Sequence, residues 1–211
     1  QIILWRHGRT SWNAERRFQG QSDIELDDEG RAQAERAAEL LAYLEPDRII
    51  ASDLARAWAT AQALSARTGV HVTADARLRE TFAGEWEGLS RAELLERHGD
   101  EVARWASDSA ARPGGGETRI EVADRVVAAI TDGLDEVVES GTLVVATHGG
   151  AARAGIGALL ELPPEQWACL GVLSNCAWSI LSENTTGFGP AWRLQEYNAG
   201  SLPTPALADD R

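Results

Sequence analysis

The chain has 211 residues, 44% of them hydrophobic, and carries 33 Asp and Glu against 20 basic residues for a formal net charge of −13. That length suits one domain with a sizeable core, and the acidic balance argues against nucleic acid or an anionic membrane surface as a partner, since both call for a basic face. Every basic residue is Arg, which removes Schiff-base chemistry and a P-loop lysine, and no apolar run approaches the ~18 residues of a membrane-spanning helix.

The first residues, QIILWRHG, lack a cationic region followed by an apolar one, so they do not read as a secretion signal; the opening on Gln1 reads as a trimmed start. Residues 1–5 form a short apolar run, expected as a buried strand. From Asp28 to Leu44 apolar residues recur at helical spacing, at Ala34, Ala37, Ala38, Leu41 and Leu44, with Pro46 as a stop. Asp47–Ser52 reads as a strand, Leu54–Thr68 as an Ala-rich helix closed by Gly69, and Val70–Thr73 as a further strand. Ser90-Arg-Ala-Glu93 and Thr118-Arg-Ile-Glu121 both fit the capping box, so helices are expected from each, the second running to about Glu139. Gly114-Gly115-Gly116 reads as a flexible loop. Thr142–Thr147 is a β-branched run suited to a strand buried on both faces. A helix over Gly149–Leu162 should end at Pro163-Pro164, followed by late strands at Cys176–Ser182 and Trp192–Tyr197.

This alternation predicts an α/β fold, a three-layer αβα sandwich with a mainly parallel sheet and helices on both faces. Residues 1–200 read as one domain, with 81–117 as a small helical, cap-like excursion over the active site and 201–211 as a loose C-terminal tail. Two cysteines seven apart, Cys169 and Cys176, make no disulfide framework and read as buried thiols, consistent with a cytoplasmic protein. Trp5 and Trp178 fall in strands and belong to the core, whereas Trp12 and Trp86 are candidates to line a pocket. His71, in a strand, and His98, ending a helix, read as structural.

Ligands of open α/β sheets bind at the carboxyl ends of the strands, and three strands end in groups a core would not choose. They are Arg6-His7-Gly8, Ser52-Asp53-Leu54-Ala55-Arg56 and Thr147-His148-Gly149-Gly150. Two Arg and two His at one edge make a cationic pocket in an anionic protein. Arg matches phosphate in bidentate geometry, so the simplest ligand class is a phosphate ester.

Arg6-His7-Gly8-Arg9-Thr10, with Asn13 and Gln19-Gly20, resembles the signature of the histidine phosphatase superfamily. So do Ser52–Ala57, Leu78-Arg79-Glu80, Gly84–Gly88 and Thr147–Gly150. Gln19–Gln21, Gly115–Thr118, Leu162-Pro163, Gln166-Trp167, Asn175–Trp178, Trp192–Leu194 and Tyr197-Asn198 narrow the likeness to its sugar-phosphate branch, acting on glucosyl-3-phosphoglycerate. One departure is Phe82, which stands where that pattern has His.

The resemblance implies His7 as a nucleophile that becomes a phosphohistidine. Arg6, Arg56 and His148 would hold the transferring group without metal or other cofactor, most effectively with His148 protonated. Glu80 would be the general acid and base, with a carboxyl tuned toward neutrality. Its alternative is a surface ion pair with Arg77 or Arg79. Asn13, Gln19, Gly20, Gly149, Glu117 and Thr118 form the implied substrate-binding set. For Asn13 and Gln19 local turn bonding is the alternative, and Thr118 also caps a helix. Arg9 and Arg16 either border the mouth or are solvated.

The expected partner is a small phosphorylated metabolite, with a homodimer as the possible assembly. The function that follows is a metal-independent phosphomonoesterase. Its rivals are a phosphoglycerate mutase with the same phosphohistidine, disfavoured by the compact segment after Glu80, and a non-catalytic phosphate-ester sensor.

Overall fold

The computed structural model describes residues 1–200. Strands β1 (Ile2–Arg6), β2 (Arg48–Ala51), β3 (Val72–Ala74), β4 (Leu143–Thr147), β5 (Trp178–Glu183) and β6 (Trp192–Ala199) form one sheet, ordered β3-β2-β4-β1-β5-β6. The helices are α1 (Ser11–Ala14), α2 (Asp28–Leu41), α3 (Ala55–Thr68), α4 (Arg91–Ser107), α5 (Arg119–Leu134) and α6 (Gly149–Leu159). The first four strands of the order pair in parallel, while β5 and β6 run antiparallel to their neighbours. The sheet is therefore mixed, with its parallel part at the end that carries the charged strand termini.

The apolar runs of β1 and β4 are continuous because both faces of those strands are covered. Alternate side chains divide between two cores. Ile2, Leu4, Leu143 and Val145 pack with Val122, Val126 and Ile130 of α5 and Ile156 of α6. Ile3, Trp5, Val144 and Ala146 pack with Ala34, Ala38 and Leu41 of α2 and Leu64 of α3. This is the period-two side-chain alternation of a strand turned into two layers. A third, small cluster joins Ala83, Trp86 and Leu94 to Phe18 and Trp105 and seats the 81–117 segment on the rest.

Both capping boxes form, Ser90 with Glu93 and Thr118 with Glu121, and Gly69 closes α3 in the left-handed conformation. Several expectations change. Helix α5 stops at Leu134, where Val137 N–H turns back to the Leu134 carbonyl so that the chain can re-enter the sheet at β4. Helix α6 stops at Leu159 because Glu161 takes a left-handed φ of 52° and Leu162 N–H reaches back to Gly157. His98 sits inside α4 at a kink, with its ring over Trp86, rather than at a helix end.

His71 precedes β3 and is exposed. Cys169 is exposed and only Cys176 is buried, the former because it ends a short 3-10 turn over Pro164–Cys169 on the surface. Gly114–Gly116 is no loose loop: it follows Pro113 in a 3-10 turn packed against the backbone of residues 82–86. The expected tail at 201–211 lies outside the described residues.

Candidate active site

Strand order explains why the charged termini meet. Strands β2, β4 and β1 are consecutive neighbours, and the β1–β4 register pairs Arg6 with Thr147. Arg6-His7 and Thr147-His148 therefore leave the sheet side by side, and Ser52 leaves β2 next to them. Arg56 follows in the first turn of α3. All four charged or ionisable side chains are buried, none more than 2% exposed.

His7 is held from both sides. Its Nδ1 lies 2.7 Å from the Gly8 carbonyl, which places the ring proton on Nδ1. The Nε2 lone pair then accepts from Arg56 Nε–H at 3.3 Å. Arg56 also donates to the Ser22 and Gly20 carbonyls, both at 2.8 Å, and Arg6 donates to the Leu173 carbonyl at 2.6 Å. Backbone acceptors thus help orient both guanidinium groups.

His148 lies with its ring centroid 5.1 Å from that of His7. Its Nε2 is 2.9 Å from Ser52 Oγ, and its Nδ1 is buried without a protein partner among the described residues.

Burial pushes both imidazoles well below the ordinary histidine range, and the neighbouring Arg56 charge lowers them further. Both rings therefore sit among groups that oppose a second proton. Burial also brings Arg56 down to about 10, still cationic at neutral pH.

Glu80 makes no ion pair with its sequence neighbours: Arg79 pairs with Asp53, and Arg77 with Asp75 and Asp132. Its carboxylate instead accepts the backbone N–H groups of Gly150 and Ala151, each at 2.9 Å, and of Thr81 at 2.8 Å. This anchors it at the N-terminus of α6. Arg125, which no motif singled out, fixes the backbone behind it by donating to the Arg77, Arg79 and Glu80 carbonyls. Arg125 is in turn clamped by Glu117 at 2.9 Å through two donors.

Several of these groups border one open cavity. Arg6, His7, Gln19, Gly20, Arg56 and Glu80 line it. Other members of the expected set stand one layer behind. Asn13 forms a capping box with Thr10 and accepts from Asn175. Gly149 lets the Arg6 guanidinium lie against the backbone, since a Cβ there would meet Arg6 Nε at 3.3 Å. Glu117 serves Arg125 and the Phe82 N–H, and Thr118 caps α5.

Trp86 is in the small core and Phe82 is exposed, so neither is on the lining. Trp12 is not on it either; its ring packs at Gly88. The aromatic walls are Phe18, Trp105 and Trp167, joined by Arg119 and Arg153. Of these, only Trp167, through the Gln166-Trp167 pair, was singled out by the sequence.

A buried imidazole whose Nε2 lone pair meets an arginine N–H, two buried arginines and a carboxylate in one cavity at the carboxyl edge of an α/β sheet define an enzyme acting on phosphate esters. The chain belongs to the histidine phosphatase superfamily, branch 1, whose family model matches residues 2–199, and it is a phosphatase.

It is 38% identical over 214 residues to the glucosyl-3-phosphoglycerate phosphatase of Mycolicibacterium vanbaalenii, covering 95% of each chain. It is 37% identical over 213 residues to a probable phosphoglycerate mutase of Salmonella paratyphi C, covering 98% of this chain and 97% of the other. A solved structure of mycobacterial glucosyl-3-phosphoglycerate phosphatase complexed with VO3 superposes with a TM-score of 0.87 at 39% identity, covering 94% of this chain and 98% of the other.

Proposed function

We propose that the chain hydrolyses small phosphomonoesters of sugars or glycerate, with glucosyl-3-phosphoglycerate the leading candidate, through a phosphohistidine on His7. The observation that carries this reading is the pairing at His7: Nδ1 bonded to Gly8, Nε2 carrying a lone pair beside Arg56. In the first step Nε2 attacks phosphorus, the ester P–O bond breaks, and the Glu80 carboxyl protonates the leaving oxygen. In the second, water attacks phosphorus, its proton passes to Glu80, and the N–P bond breaks to release phosphate.

Arg6 and Arg56 stabilise the equatorial oxygens. A bound phosphoryl dianion favours protonation of His148. Gln19 and Gly20 bind at the rim, while Asn13, Gly149, Glu117 and Thr118 act from behind it. Residues 1–200 work as one catalytic unit with 81–117 as its cap. A homodimer is supported by β6, which ends the sheet with an open edge, and a cytoplasmic setting by the two unbridged thiols.

Rapid alkaline quench after mixing with a 32P-labelled ester tests the mechanism. Wild type should carry acid-labile label, and His7→Ala should carry none and release no phosphate. Equal phosphate release by the two proteins would remove the proposal. Release of free phosphate without a bisphosphate primer separates hydrolysis from mutase transfer.

A further inference from the structure

The Gly84–Gly88 stretch, picked out in the sequence, carries one acidic side chain that the mechanism leaves unused. Glu87 follows a 3-10 turn over Gly84–Trp86 and is half-buried. Among the described residues its carboxylate meets no cation and is held by three neutral donors. Oε1 accepts the Gln21 N–H at 3.0 Å and the Ala83 N–H at 3.1 Å, and Oε2 accepts the Ser22 hydroxyl at 2.8 Å. The Ala83 contact is local to the turn. The other two donors come from 66 and 65 residues earlier in the chain, so they tie the cap segment to the loop after Gln19. A Cβ on Gly20 would fall 2.2 Å from Glu87 Oε1, so that loop lies directly against the carboxylate. The loop supplies both backbone acceptors of Arg56, the Gly20 and Ser22 carbonyls at 2.8 Å, and Arg56 meets His7 Nε2. Paired backbone bonds join Phe18 to Gly88 and Leu89 before the loop, and Asp23 accepts the Ala55 N–H at 2.8 Å after it. Glu87 fastens the middle, the part that faces Arg56.

We infer that Glu87 is a positioning residue for the phosphoryl transfer: it fixes the 20–22 loop so that the Gly20 and Ser22 carbonyls aim the Arg56 guanidinium. Glu87 is not on the cavity lining and acts through Arg56. A carboxylate suits the task because both of its oxygens accept and neither donates, so donors from two segments are met at once. The guanidinium has a rigid fork whose direction follows its acceptors. Phosphoryl transfer draws its rate from positioning and charge placement, and small misplacements of such a group are costly. The inference rests on the phosphatase reading above and deepens it by naming what holds Arg56 in its working orientation.

The test is a double-mutant cycle between Glu87 and Arg56, read as kcat/KM on p-nitrophenyl phosphate, with melting curves to show that each variant is folded. Glu87→Ala should lower kcat/KM by about 10-fold, and Glu87→Gln, which keeps an acceptor for both N–H groups, should recover it to within about threefold. In an Arg56→Lys background Glu87→Ala should cost less than about twofold, because an ammonium has no fork for the two carbonyls to aim. Where Arg56→Lys is too slow to assay, the Kd of inorganic phosphate measured by calorimetry replaces kcat/KM throughout the cycle. Should Glu87→Ala fail to fold, Ser22→Ala, which removes only the Oε2 donor, takes its place, with a loss of about threefold expected beside Arg56 and none beside Lys. Equal losses in the two backgrounds would overturn the positioning role and leave the phosphatase intact, as would Glu87→Ala within about twofold of wild type or Glu87→Gln as slow as Glu87→Ala. Failure of wild type on p-nitrophenyl phosphate itself would overturn the phosphatase reading, and the positioning role with it.

Discussion

His7 and His148 lie with ring centroids 5.1 Å apart, both buried and both held well below the ordinary histidine range by burial and the adjacent Arg56 charge. In the unfolded chain each imidazole takes up a proton near pH 6.5. In the folded chain neither does so until well below that. Between those limits the unfolded state binds more protons, so stability falls as pH drops below about 6.5, by about 1.4 kcal/mol per pH unit for each histidine, and neither contributes at higher pH. Urea midpoints measured from pH 7 to pH 5 should show this loss, and His148→Gln should have a shallower slope than wild type. Coincident slopes would mean that His148 protonates inside the folded protein.

Glu80 offers a kinetic signature. With p-nitrophenyl phosphate the leaving group needs no proton, but hydrolysis of the phosphoenzyme still needs a base. Glu80→Gln is therefore expected to release about one equivalent of p-nitrophenol in a burst and then turn over about 10²–10⁴-fold more slowly than wild type. Stopped-flow absorbance at 400 nm would register the burst, and an unchanged steady state would exclude the proposed role.

The Gly114–Gly116 turn shows how an element distant from the chemistry sets it. A Cβ on Gly116 would fall 1.8 Å from the Phe82 carbonyl oxygen, whereas one on Gly115 would meet nothing within 4 Å. Gly115 needs glycine only for its φ of 77°, at a conformational cost of about 1 kcal/mol. Gly115→Ala should accordingly lower the melting temperature by a few degrees and keep kcat within about threefold. Gly116→Ala must push the 81–84 backbone, and with it Glu80, so kcat should fall by about 10-fold or more; melting curves and kcat for the pair would check the contrast.

The capping boxes at Ser90 and Thr118 were legible in the sequence because their chemistry is local, residue i to residue i+3. Thr118 shows the limit of that legibility. Both of its readings used the same hydroxyl, and the helix N-terminus took it. The ends of α5 and α6 were misjudged because each helix stops where the chain must turn back, a demand set by packing and not by the apolar period.

At the scale of the molecule, Arg6-His7 and Thr147-His148 stood out because each pair ends an uninterrupted apolar run, and such runs mark strands covered on both faces. That β4 lies between β1 and β2, bringing the three ends together, is a matter of topology that no single segment records. The cavity-lining residues Trp105, Arg119, Arg153 and Trp167 come from four separate segments, and only Arg119, inside a capping box, and Trp167, in the Gln166-Trp167 pair, fall within patterns read from the sequence. Core and site share the same strands: Leu4 is fully buried on β1, two residues before Arg6. Leu4→Ala should destabilise the fold by about 2–5 kcal/mol while leaving kcat within about twofold, as read by urea unfolding and initial rates. A parallel collapse of kcat would show that the strand needs its full packing to aim the cluster.

The contact between Arg56 Nε and His7 Nε2 has one more consequence. In the resting protein the attacking electron pair is occupied, and only a guest with acceptor oxygens strong enough to draw that N–H away can set it free. A guest without strong acceptor oxygens leaves that N–H in place and meets a nucleophile already engaged.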